Sequence, residues 1–317
     1  MKVKVSLAKM KYLLQFYKKI LRLNVNNYKA GIIKYWKNWA EKEWKKNERN
    51  WEKRSQQDKN YRNYLVQPRL RKVISWLSKI IKKQKKLKVI DIGCGDGYTT
   101  KCFIEILKRS KIDFNITCLD ISHKLLNDAK FNLKNYKEYI DGFIQADITS
   151  DKFRLNKKYD LIFSSFLMQD LGDIYNFSKN IKSISSKNAL HIHVALDPTF
   201  VDLMKKKGAL KLIENKEFIY ENLYIWRYIS LYPIAEVDKE TFYLPNFQRY
   251  IGDYINVFKH FGLVALRVIH NKPKEKEKKI FLQKNIPPFF PYTNNLYFPE
   301  ILDYPSNFII VLENHEV

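Results

Sequence analysis

Apolar positions recur along this chain with two different periods. Over residues 5–23, Leu7, Met10, Leu13, Leu14, Tyr17, Ile20 and Leu21 fall at helical spacing, with lysines across much of the other face. That pattern predicts a basic amphipathic helix, broken by Asn24–Asn27. A second helix is predicted over 32–55, with Trp36, Ala40, Trp44 and Trp51 near one stripe and Trp39 among its apolar positions. The plainest use of the stripe is packing on a main domain; a nucleic-acid or lipid surface is the other reading. A third helix, 66–83, turns Leu70, Val73, Ile74, Leu77 and Ile80 inward and has Pro68 near its start, where a missing N–H is tolerated.

From residue 88 the pattern changes to short apolar strands alternating with helices. Strands are predicted at 88–92, 114–120, 140–146, 159–164 and 189–196, and helices at 98–108, 123–135 and 173–183. Such alternation implies an α/β fold with a doubly wound, mostly parallel sheet and helices on both faces. A ligand is then expected beyond the carboxyl ends of the strands, near the switch in strand order. Asn188, just before the fifth strand, tolerates the left-handed conformation and is expected to make a turn there. Further on, the pattern predicts a helix over 200–215, an aromatic segment at 220–233, a helix over 249–260 stopped by Gly262 and a strand at 262–269. A solvated charged loop at 271–279 and a Pro/aromatic stretch at 286–305 lead to a last strand at 308–312.

Composition adds a core and a charged front. With 45% hydrophobic residues in 317, the chain can bury a core, and no 18-residue apolar run predicts a membrane span. Residues 1–88 hold 27 Lys+Arg against 5 Asp+Glu, so most of the net +25 lies there and the remainder is nearly neutral. The excess is mostly lysine, 47 against 11 arginines, which weakens it as a sign of phosphate gripping. The organisation read from this is a basic, Trp-rich helical extension or lid over 1–60, then a domain over 61–317 with a substrate-side insertion at about 200–248. The absence of a secretory signal pattern, and three cysteines without metal spacing (Cys94, Cys102 and Cys118), predict a reduced, cytoplasmic setting and no metal site. Those cysteines, and His191 and His193 on one strand face, read as structural.

Glycine is scarce, 9 in the whole chain, yet three lie at Gly93, Gly95 and Gly97 between a predicted strand and helix. Glycines there let the backbone turn tightly and approach a ligand. A dinucleotide fingerprint begun at Gly93 needs glycine where Tyr98 stands, and a P-loop needs a Gly-Lys-Ser/Thr ending that is absent. The segment Asp91-Ile92-Gly93-Cys94-Gly95-Asp96-Gly97 resembles motif I of the class I S-adenosylmethionine-dependent methyltransferases. Asp120 closes strand two and Asp147 follows strand three at the spacings of that family.

The resemblance covers about residues 61–200 and implies a Rossmann-like domain with a seven-stranded sheet whose last strand is antiparallel. It implies S-adenosyl-L-methionine as cofactor, with Asp120 on the ribose hydroxyls, Ile121 and Ile148 against the adenine and Asp147 on the adenine amino group. Asp91 would order the loop formed by Gly93, Cys94, Gly95 and Gly97, Ser164 would lie at the end of strand four, and Arg62 or Tyr64 would cover the methionine end. A narrower resemblance to bacterial small-molecule methyltransferases places Asp197-Pro198-Thr199-Phe200 after strand five, and Gln248-Arg249 with Tyr254 before the last helix. Asp197 and Gln248 stand where that pattern has histidines. The run Ser164-Ser165-Phe166-Leu167 lacks the motif of base-amine methylating enzymes. The implied activity is methyl transfer to a nucleophilic atom of a small molecule by direct displacement. Asp197 is the first candidate general base, and Gln169, Asp170, Arg249 and Tyr254 are candidate pocket residues. An RNA methyltransferase using residues 1–88 to bind phosphates is the alternative; an anionic membrane surface and a homodimer also stay open.

Overall fold

The computed structural model describes residues 61–81, 86–206, 208, 210–215, 217–237, 240–283 and 302–315. The two helices predicted before residue 60, and most of the Pro/aromatic stretch, lie outside the described residues. The described chain opens with a π-helical turn, Arg62–Val66, that continues as α1, Gln67–Leu77. Pro68 stands in its first turn, and Leu70, Val73, Ile74 and Leu77 form its buried stripe.

Strand β1, Leu87–Ile92, is buried at every position but Lys88, as a central parallel strand covered on both faces must be. It is followed by α2, Tyr98–Arg109, and β2, Phe114–Asp120. Next come α3, His123–Asn132, and β3, Ile140–Gln145. Strand β4, Tyr159–Ser165, leads through a 3-10 turn, Met168–Asp170, into α4, Ile174–Ser183, and β5, Ser185–Leu196. After β5 lie α5, Pro198–Lys206, and five short strands: β6, Lys211–Glu214; β7, Phe218–Tyr220; β8, Leu223–Trp226; β9, Tyr228–Val237; and β10, Glu240–Gln248. Then α6, Ile251–His260, β11, Leu263–Asn271, α7, Glu275–Gln283, and β12, Asn307–Asn314, complete the described chain.

Seven strands form one sheet in the order β3-β2-β1-β4-β5-β12-β11, and β12 runs antiparallel to both its neighbours. The expected doubly wound sheet is therefore present. Its order reverses between β1 and β4, which opens a crevice beyond their carboxyl ends. One apolar layer holds Val89, Phe103 and Phe163, the last two stacked at 4.0 Å; the other holds Ile90, Ile92, Ile162, Phe177 and Phe258. Strand β5 starts four residues before its predicted beginning, and Asn188 adopts φ 59° where the left-handed turn was expected. Strands β9, β10 and β6 make a separate three-stranded sheet, and β7 with β8 a hairpin.

Three expectations are corrected. The helix predicted over 66–83 ends at Leu77, and Ile80, expected inward, is exposed. The helix predicted over 200–215 ends at Lys206; Gly208, at φ 71°, turns the chain, and 211–214 pair antiparallel with β9. Pairing with a strand remote in sequence overrides local helical spacing here. The charged segment at 271–279 is not a loop throughout, because α7 begins at Glu275. Acidic Glu275 and Glu277 suit its amino-terminal turn, Arg69 grips Glu277 through two bonds of 2.5 and 2.6 Å, and Phe281 is buried.

His191 and His193 are fully buried on β5. His191 Nε2 lies 3.0 Å from Ser185 Oγ, His193 Nδ1 lies 2.8 Å from Ser164 Oγ, and the His193 ring stacks on Phe258 at 5.6 Å. Burial holds both imidazoles neutral, His193 down at about 3. Since the unfolded chain protonates His193 near its ordinary value while the folded chain does not, its contribution to stability is complete above that value and is lost on acidification. Replacing it with a side chain that cannot take a proton isolates this effect. The stability of the native chain relative to His193→Gln should fall by about 1.4 kcal/mol per pH unit below about 6.5, measured by urea unfolding at pH 7 and 5.

Candidate cofactor and acceptor site

The site begins where β1 ends. Gly93, Gly95 and Gly97 have φ of 72°, 57° and 83°, values that a side chain would strain. At Gly93 a Cβ would come within 2.9 Å of Leu167, and at Gly97 within 3.2 Å of the Ala129 backbone, so both serve close packing. Gly95 differs, because a Cβ there would meet nothing within 4 Å. Its backbone borders a cavity of about 230 Å³. Gly93 N and Cys94 N donate to Leu119 O at 2.8 and 3.1 Å, and Gly95 N donates to Asp120 Oδ2 at 2.9 Å. The glycine turn is thus pinned to the end of β2.

Asp120, Ile121, Asp147 and Ile148 line the same cavity. Asp120 also accepts from Ser122 N at 2.9 Å, and burial pushes its carboxyl above the usual range. Asp147 Oδ1 accepts from Thr149 N and Oγ1 at 2.9 and 2.7 Å. Asp91 lies beneath the turn, accepts from Thr100 Oγ1 at 2.6 Å and is pushed up to about 7 by burial. It ties the strand to the first turn of α2. The Cys94 thiol faces Cys118 in the core and, pushed up by that partner and by burial, stays protonated.

The opposite wall is made by Phe166, Leu167, Asp170 and Leu171. Phe166 holds φ 56°, an unusual conformation for a bulky residue, directly after β4. The Arg62 guanidinium lies 4.7 Å from its ring centroid and donates to Thr99 Oγ1 at 2.8 Å and Ser165 Oγ at 3.3 Å. Arg62 therefore bridges the first turn of α2 and the carboxyl end of β4. Tyr64 packs its ring on Phe281 at 6.5 Å, and Ser164 points to His193; neither lines the cavity.

The residues expected on the acceptor side divide by task. Asp197 is fully buried; Oδ1 accepts from Thr199 N at 2.9 Å, and Oδ2 lies 2.5 Å from Nδ1 of His270, whose side chain is 51% exposed. His270 comes from β11, 73 residues away, and nothing in the sequence marks it. Arg249 is also buried, but as a clamp: its guanidinium donates to Ile225 O and Leu171 O and, at 3.0 and 3.1 Å, to Met168 O and Phe247 O. The Tyr254 ring, whose buried phenol is pushed up, lies 5.6 Å from that guanidinium. Gln169, buried, donates to Phe166 O at 2.6 Å and so braces the turn. Arg249 and Tyr254 hold the cavity wall without lining it.

A family model described as a methyltransferase domain matches residues 90–190, from β1 to β5. The chain is 26% identical over 166 residues to the ubiquinone biosynthesis O-methyltransferase of Pelagibacter ubique, covering 52% of this chain and 59% of that protein. It is 30% identical over 210 residues to malonyl-(acyl-carrier protein) O-methyltransferase 1 of Ilyobacter polytropus, covering 62% of this chain and 71% of that protein. The chain belongs to the class I S-adenosylmethionine-dependent methyltransferases. It spans 59%, 40% and 28% of the length of three of the curated relatives it matches, the Pelagibacter protein being the first. In fold it is similar to a provisionally assigned S-adenosylmethionine-dependent methyltransferase of Listeria monocytogenes, at TM-score 0.50 and 16% identity, covering 76% of this chain and 95% of that one.

The cavity fits the cofactor of the class I methyltransferases. Gly95 leaves its backbone open, two carboxylates stand on one wall, and Ile121 and Ile148 flank Asp147 with apolar surface. The clamp that shapes the opposite wall can be tested separately. Arg249→Met leaves the four carbonyls without their donor, and should cost about 3 kcal/mol or more in chemical unfolding.

Proposed function

We propose that this chain transfers the methyl group of S-adenosyl-L-methionine to an oxygen of a small molecule. The single observation that carries this reading is the cavity at the strand-order switch, where Gly95, Asp120 and Asp147 meet. When bound, the cofactor supplies a methyl group on a positively charged sulfur, open to displacement by a nucleophile. Asp120 and Asp147 would hold its nucleoside end, and Arg62, beside Thr99 and Ser165, stands ready for its carboxylate end. Phe166, Leu167 and Leu171 exclude water from the transfer region. Named relatives that are O-methyltransferases support oxygen as the accepting atom.

Asp197, fully buried with Oδ1 on Thr199 N and Oδ2 on His270, would act on the acceptor through that histidine. It orients His270, and the outer nitrogen of that imidazole would take the proton of the acceptor hydroxyl as the new bond forms. In this reading Asp197 is a positioning residue and His270 the base.

Binding of S-adenosylhomocysteine, followed by calorimetry, tests the cofactor half of the reading. Asp120→Ala should weaken it by about tenfold or more, because a charged acceptor of hydrogen bonds is lost; unchanged affinity would remove Asp120 from the site. His270→Asn should leave that affinity unchanged and lower methyl transfer by about 100-fold or more, with the loss shrinking as pH rises and the acceptor ionises unaided.

A further inference from the structure

Four side-chain atoms near the acceptor side are sealed from solvent and have no hydrogen-bonding partner: Gln169 Oε1, Ser230 Oγ, and both Nδ2 and Oδ1 of Asn246. These residues are 3%, 0% and 1% exposed. A buried amide or hydroxyl without a partner has lost its bonds to water and gained none, so native chains keep few of them. Several in one region mark a place where the polar atoms of another molecule belong.

The fold gathers the three residues from separate segments. Asn246 and Ser230 are direct partners across β10 and β9, so their side chains leave the same face of the small sheet. Phe247, between Asn246 and Gln248, turns to the other face and joins the apolar layer beside Trp226. On the face of Asn246, Gln248 donates to Pro198 O at 3.2 Å, and its cross-strand partner Tyr228 donates to Asp202 on α5 at 2.6 Å. That face therefore looks toward the start of α5, next to Asp197. Gln169 comes from the 3-10 turn after β4, on which β10 packs. Its neighbours Phe166 and Asp170 line the cofactor cavity. Ser230 and Asn246 thus face the segment that follows β5, and Gln169 stands in the turn that borders the cavity.

We infer that Gln169, Ser230 and Asn246 recognise the methyl acceptor, and that the group they take is uncharged and both gives and receives hydrogen bonds: a hydroxyl or carboxamide on an apolar frame. Gln169 Oε1 and Asn246 Oδ1 accept, Asn246 Nδ2 donates, and Ser230 does either. No cation belongs to the set, and the donors of Arg249 are taken by four backbone carbonyls. An ionised carboxylate would be buried there without a counter-charge. The inference rests on the methyltransferase reading, which places the acceptor beside the cofactor cavity.

The test uses the full chain saturated with S-adenosylhomocysteine and titrated with catechol, benzamide and benzoate, followed by thermal shift and saturation-transfer NMR. Catechol or benzamide should raise the melting temperature by about 2 °C or more and benzoate should not; whichever responds separates hydroxyl from amide. Asn246→Leu and Ser230→Ala remove unpartnered polar atoms. Each should melt no lower than the native chain, bind S-adenosylhomocysteine equally well, and lose about tenfold in affinity for the responding probe. A benzoate response equal to the others, no response to either uncharged probe, an unaltered response in both variants, or a melting point several degrees lower in both would overturn the inference. Failure of S-adenosylhomocysteine to bind the native chain would remove the methyltransferase reading itself, and this inference with it.

Discussion

The hydrogen bond from the Gly95 amide to Asp120 joins the two strand ends on which the site depends. It links β1 to β2 just where the chain leaves the sheet, and it holds a turn whose three glycines sit in left-handed conformations. Side chains would strain all three positions, but for different reasons of space. Gly93 and Gly97 are packed by Leu167 and by α3, whereas Gly95 opens onto the cavity. The turn is therefore anchored on two sides and exposed on one. Such rigidity lets backbone amides and a neighbouring carboxylate meet a ligand without being ordered by it.

The opposite wall is supported by a different device. Arg249 gathers carbonyls from the turn after β4, from β8 and from β10, so one guanidinium joins the main sheet to the small one. A buried cation is costly unless its donors are met, and here backbone oxygens meet them in place of a carboxylate. The result is a fixed loop at Met168–Leu171, with Phe166 in a strained conformation at its start and Arg62 over that ring. Strain held by surrounding structure at the edge of a cavity is consistent with a site shaped before its ligand arrives. The polar residues left unpartnered beside it fit the same picture.

Much of this was legible along the chain because its signals are local. The strand–glycine-turn–helix run at 88–108, Asp120 at a strand end and Asp147 just after the next depend only on neighbours within a few residues. Asn188 was readable for the same reason, as one of few residues that accept φ 59°. Arg62 proved to stand beside the glycine turn, while Tyr64, two positions on, turns to α7, because a helix sends residues two apart to different faces. The segment at 200–215 was misread because helical spacing before Gly208 continues by chance into residues whose strand partner lies in β9.

What the sequence by itself determined is the doubly wound sheet and the gathering of Gly95, Asp120 and Asp147 around one cavity, both consequences of periodicity and of glycines that only one kind of turn needs. Tertiary structure alone decided the surroundings of Asp197 and of the small sheet. His270 meets Asp197 across β12, which lies between β5 and β11, and Ser230 meets Asn246 because β9 and β10 pair in that register. Those contacts join residues far apart in the chain, and no local spacing records which distant strand a side chain will meet.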